Sequence, residues 1–161
     1  KKKKTTWSNS PATPTAQAYS GGGLGTGAAA LGYGGYTGGP TTQIVTAFEW
    51  NDVSWSNTNN CNTKVQYGDG FGIQTAAVAC GGSPNTTSIN YDGTNWTASP
   101  GSLNTGRTNA GGTGTQTAGL TFGGYPNVTA TEHYNGSSWT AGGALPTGRQ
   151  NYFEQERKQL L

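Results

Sequence analysis

The sequence has no methionine, two cysteines and a single histidine, and only 10% of its 161 residues are charged, where a globular chain usually carries ~25%. Each shortage excludes something. One histidine, His133, with no nucleophile elbow anywhere in the sequence, leaves no Ser-His-Asp or Cys-His constellation. No apolar run approaches the ~18–20 residues of a membrane-spanning helix, and no apolar signal-peptide core follows the first lysines, so no membrane insertion is expected. No Asp-rich loop has the pattern of a calcium site. With so few ions, the surface must be solvated by hydroxyls, amides and backbone.

The formal charge of +2 is concentrated at the ends, because Lys1 to Lys4 supply four positive charges. Residues 5–153 set Lys64, Arg107 and Arg149 against Glu49, Asp52, Asp69, Asp92 and Glu132, a net of −2. No basic patch for nucleic acid exists in this body. The four lysines lack the interleaved aromatics of a binding arm, and residues 1–4 read as a solvated basic extension. Residues 154–161 form a charged, glycine-free tail of good helix formers.

What the chain has in quantity is glycine, at 28 residues, together with five tryptophans, eight tyrosines and four phenylalanines. Aromatics at this density argue for an ordered core rather than disorder. They recur in register. Gly34-Gly35, Gly81-Gly82 and Gly123-Gly124 are followed by Trp50, Tyr91 and Tyr134, and five residues later by Trp55, Trp96 and Trp139, with tryptophan spacings of 41 and 43. A fourth landmark, Leu103-Asn-Thr-Gly-Arg107 and Ala144-Leu-Pro-Thr-Gly-Arg149, has degraded copies at Thr13–Gln17 and Cys61–Val65. Its threonines, Thr15, Thr63, Thr105 and Thr147, lie 48, 42 and 42 residues apart. Four landmarks in constant order define a repeat.

Each unit parses into four short strands. Strand a follows the Thr-Gly-Arg landmark, as in Arg107 to Gly112, and strand b, as in Thr117 to Phe122, ends at the Gly pair. Strand c runs to the Tyr position, and strand d carries the tryptophan. The c–d exits Asp92-Gly93 and Asn135-Gly136 predict two-residue type I′ hairpins; Asp52 and Asp92 are read as equivalent turn residues rather than as a catalytic carboxylate pair. Four antiparallel strands per ~40–50 residues is the size of a propeller blade. Three full blades, a lone strand d at Thr5–Asn9 with Trp7 and a lone strand a at Thr147–Phe153 account for residues 5–153. Propellers close with about four to eight blades, so one chain does not close a ring. The remaining blades would come from a longer protein or from further copies, or the blades would stack openly against a partner.

Gly-Gly, an aromatic, Trp and Pro-Thr-Gly-Arg in this order resemble the kelch repeat, the blade of galactose-oxidase-type and actin-associated propellers. The Thr/Gly-rich variant here, with Gly-Thr-Gln-Thr-Ala, Tyr-Asn-Gly-Ser-Ser-Trp and Pro-Thr-Gly-Arg, is similar to kelch-like runs of tailed-phage virion proteins. The resemblance covers about residues 5 to 152, although the aromatic and the tryptophan sit closer together than in typical kelch units and residues 57–70 are eroded. A copper site of the galactose-oxidase kind needs two histidines and a cysteine-linked tyrosine, so no cofactor is expected. Asp92-Gly-Thr-Asn-Trp96 resembles the Asp box of sialidases but lacks its spacer residue.

The resemblance implies an all-β propeller acting as a non-catalytic structural or binding module. Its setting would be a virion or the extracellular space, in contact with neighbouring chains, further copies of itself or a host-surface glycan. A secreted lectin is the alternative. Recurrence of the aromatics favours core packing over sugar stacking. Candidates for ligand contact are Arg107 and Arg149, which the kelch pattern places near the central channel and which could grip a carboxylate bidentately, and Tyr36 and Tyr125, with Ser83, after the Gly pairs. The competing role for the arginines is bonding to carbonyls of a neighbouring blade. Cys61 and Cys80 replace apolar residues in the register; they are either two buried thiols or a cross-strand disulfide suited to an oxidising setting. Asn85, Asn95, Asn127 and Asn135 begin glycosylation sequons.

Overall fold

The computed structural model describes residues 10–16, 22–37, 42–82 and 86–149. These residues form three antiparallel meanders in chain order. The first contains β1 (Gly22–Gly25), β2 (Ala30–Tyr33), β3 (Ala47–Trp50) and β4 (Trp55–Thr58). The second contains β5 (Gly68–Ile73), β6 (Ala76–Gly81), β7 (Ser88–Tyr91) and β8 (Trp96–Ala98). The third contains β9 (Gly111–Thr115), β10 (Ala118–Phe122), β11 (Thr131–Tyr134) and β12 (Trp139–Ala141). Each sheet is one repeat unit, none curls into a barrel, and no helix occurs among the described residues. The arrangement is that of propeller blades. The strand expected around Trp7, Ser83, Asn85 and residues 150–161 lie outside the described residues.

The first strands β1, β5 and β9 adjoin one another in sequence, so the sheets fan out from a shared inner edge. Period-2 alternation then sends successive side chains of the middle blade to opposite neighbours. Ala77, Ala79, Ile89 and Tyr91 pack with Leu31, Tyr33 and Ala47 between the first and second sheets. Val78, Cys80 and Phe71 pack with Leu103, Tyr134 and Trp139 between the second and third. That is why β6 is apolar at every position while the outer strands are not. The tryptophans bind blade to blade: Trp96 lies 5.2 Å from Tyr33 and Trp139 lies 6.0 Å from Phe71, centroid to centroid.

The Gly pair ends strand b at a point that has no room for a side chain. Gly81 and Gly82 both have positive φ, 68° and 85°, and a Cβ there would stand 2.7 Å from the Arg107 carbonyl and 2.5 Å from that of Gln66. The close approach serves a bond: Gly82 N–H donates to Arg107 O at 2.9 Å. Gly35 N–H donates in the same way to Val65 O, and Gly124 N–H to Arg149 O. Each blade is thus stitched to the opening of the next unit, and Arg149 occupies the third such position.

At the other end of the blades, a glutamine in the a–b turn reaches back to the preceding blade. Gln74 Nε2 donates to Ala30 O and Trp50 O at 3.0 and 2.8 Å. Gln116 Nε2 donates to Ala77 O and Tyr91 O at 3.1 and 2.7 Å. In both cases the acceptors are the terminal residue pair of the b–c ladder. The first blade has Gly27 at this turn position, and its carbonyl instead accepts from Trp50 Nε1 at 3.0 Å.

Two local expectations are corrected. The c–d connections are not two-residue hairpins, because Trp50 pairs with Trp55, Tyr91 with Trp96 and Tyr134 with Trp139, leaving four residues in each loop. The first loop residue is held by its own side chain. Asp92 Oδ1 accepts from Thr94 N–H and Asn95 N–H at 2.9 and 2.7 Å, and Asn51 and Asn135 do the same in their loops. These Asx turns leave positive φ only at the second residue, Asp52, Gly93 or Gly136. Asp52 therefore matches Gly93 and not Asp92. The second correction concerns strand a, which begins at Gly111 rather than Arg107, because residues 107–110 are drawn into the stitch to the Gly pairs.

Candidate functional site

The b–c connections and the d–a linkers share one end of the blades, and the four ligand-contact candidates among the described residues, Arg107, Arg149, Tyr36 and Tyr125, fall there. The structure divides them into two groups. Arg107 is buried, at 1% exposure. Its guanidinium donates to Glu132 Oε1 at 2.5 Å, to Ala130 O at 2.7 Å, to Gly123 O at 3.3 Å and to Thr105 O at 3.2 Å. Glu132, on β11, is equally buried and also accepts from Asn104 N–H, Asn104 Nδ2 and Thr105 N–H at 2.8, 2.9 and 3.0 Å. The pair binds the linker to the third blade. Arg107 thus bonds to the carbonyls of an adjacent blade, and its side chain is withheld from any ligand.

Tyr36 is also buried. Its ring packs edge-on to Tyr67 at 6.3 Å, and the two hydroxyls are 3.3 Å apart. Tyr125 is 53% exposed and Arg149 is exposed, so the accessible candidates on this end are these two. Their backbones are neighbours through the Gly124 to Arg149 bond. At the first and second units, Gln66 Oε1 and Thr46 Oγ1 are buried polar atoms without a hydrogen-bond partner.

Cys61 and Cys80 are both buried free thiols, packed in different core clusters. The register explains the separation. Cys80 pairs across the a–b hairpin with Asp69, whereas Cys61 belongs to the linker and packs between the first and second sheets. Cys80 lies on the face toward the third sheet. Burial pushes the Cys61 thiol up to about 12 and raises Cys80 further, so neither is a ready nucleophile or metal ligand.

Two carboxylates lie away from water, Glu132 with partners and Asp69 with one unpartnered oxygen. Glu132 occupies the position of Ile89 and Phe48 on strand c, an acid at a core position, and Arg107 occupies that of buried Val65. The two exchanges occur together in one unit, a signal visible once the repeats are aligned. Asp69, on β5, has a buried Oδ2 with no partner, and burial raises its carboxyl to about 6. The Tyr33 hydroxyl donates to the Asp69 backbone carbonyl at 2.9 Å, not to its carboxylate. His133 is exposed on β11 while the adjacent Glu132 points into the core. Among the described residues no three His, Cys, Asp or Glu side chains converge as a metal site. No protein-family profile matches the chain, and a search of the curated proteins finds no match.

Proposed function

We propose that this chain is a non-catalytic structural and binding module of a virion or surface appendage, which presents its b–c loops and d–a linkers to a neighbouring protein or to a receptor. The observation that carries the reading is the exposure of Tyr125 and Arg149 at one end of the stack, where Arg107 and Tyr36 are buried. Exposed tyrosine and arginine are residue types enriched where proteins meet their partners. The buried Arg107–Glu132 pair supports the non-catalytic part, since its bonds are spent on backbone and linker groups.

A photo-crosslinker placed at position 125 in the native assembly tests this, with position 53 as the control. Val53 is 72% exposed and lies on the opposite, c–d end. Crosslinks to a neighbouring chain are expected from 125 and not from 53; equal yields, or none from 125, would reject the reading. The lectin alternative is separated by an array of defined glycans, where a lectin binds and the Tyr125→Ala variant does not.

A further inference from the structure

The outer face of the third blade repeats, feature by feature, a surface that is covered twice elsewhere in the molecule. In the first blade, Leu31 and Tyr33 face the second blade and are fully buried. In the second blade, Val78 and Cys80 hold the same positions toward the third and are 0% and 2% exposed. The equivalent residues of the third blade, Leu120 and Phe122, are only half-buried. The polar half of the pattern is present as well. The ladder-end carbonyls that receive the glutamine amides, those of Ala30 with Trp50 and of Ala77 with Tyr91, correspond to Gly119 and Tyr134. Gly119 and Tyr134, with Leu120 and His133, line a groove of about 400 Å³. At the loop end, Gly124 is already bonded to Arg149 as Gly82 is to Arg107.

From this we infer that the outer face of the third blade is a docking surface for a further four-stranded unit of the same repeat. The incoming unit would carry a glutamine in its a–b turn, seated on the Gly119 and Tyr134 carbonyls, and a tryptophan at the start of its strand d, packed on the apolar face as Trp96 packs on Tyr33. The first blade of a second copy is the poorer fit, because Gly27 stands where the amide must be. The inference is independent of what the loop end binds.

The test inserts a duplicate of residues 108–149 between Arg149 and Gln150 of the full chain. Two variants accompany it: one with the inserted counterpart of Gln116 changed to Ala, the other with Leu120→Asp on the receiving face. Amide exchange is followed over residues 118–122 and 131–134. Docking predicts that the insertion slows exchange there at least about tenfold, that the Gln→Ala insert loses most of that protection, and that Leu120→Asp abolishes it. Unchanged exchange on insertion overturns the inference, and an alanine insert as protective as the glutamine one overturns the glutamine seat. If instead the unextended chain self-associates in sedimentation equilibrium and Leu120→Asp makes it monomeric, the face belongs to a second copy and the inference fails.

Discussion

Arg107 and Glu132 hold positions that another unit of the same chain fills with Val65 and Ile89, both buried. The molecule therefore contains its own control for the energetics of a buried ion pair. Removing one partner strands a charge away from water, so Arg107→Ala should cost about 3–5 kcal/mol. Replacing both, as Arg107→Val with Glu132→Ile, restores the combination of the second unit and should be neutral or stabilising by about 1–4 kcal/mol. Urea unfolding of the two single variants and the double variant measures this directly, and a double variant as unstable as the singles would mean that the backbone acceptors Ala130 and Gly123 need the guanidinium. Asp69 presents the opposite case. Its carboxyl is raised from 3.8 to about 6 by burial, so the folded state binds a proton that the unfolded state releases between about pH 4 and pH 6. Folding is thus penalised above pH 6, and the penalty is relieved as the pH falls through 6 toward 4. Asp69→Asn should stabilise by up to about 3 kcal/mol at pH 7.5 and change little at pH 4. The difference between wild type and variant isolates this group from Asp92, whose carboxyl is held low by the Asn95 and Thr94 N–H groups and loses its contribution in acid.

At the scale of the element, the strands were legible because their landmarks repeat, and the turns were misread because one dipeptide serves two geometries. Asp-Gly and Asn-Gly satisfy both a two-residue type I′ turn and the first half of a four-residue loop. What decides is the bond from the first side chain to N–H groups two and three residues on, which depends on the register of the flanking tryptophan. Asp52 carries the consequence. With φ at 74° it adopts the left-handed conformation that its counterparts Gly93 and Gly136 adopt without strain. Asp52→Gly should raise stability by about 0.5–1 kcal/mol, less what the unfolded chain gains in freedom, whereas Gly93→Asp should lower it. Opposite changes in thermal midpoint for the two variants are the expected result. The site residues were less legible than the elements. Arg107 and Arg149 share one motif, yet one is buried by an acid 25 residues later and the other is exposed, and nothing in Thr-Gly-Arg itself distinguishes them.

For the whole molecule, the repeat made the stack readable while the strength of each interface had to come from the structure. Blades that touch only their neighbours should behave as a one-dimensional array, with stability carried by interface terms. The interface between the second and third blades is the one to probe, because its tightest glycine contact with a side chain lies there. Gly119 leaves room for the Phe71 ring, and a Cβ there would overlap that ring. Gly119→Ala should therefore overpack the interface at a cost of about 1–3 kcal/mol. The cost should not spread evenly. Amides of β10 and β11 should lose protection against exchange while those of β2 and β3, on the far side of the middle blade, keep theirs. Phe71→Ala in the same background should return part of the protection by removing the clash, since the two substitutions act on one contact and cannot be additive. A uniform loss across all three sheets would instead mean that the blades fold as one cooperative unit despite their nearest-neighbour contacts.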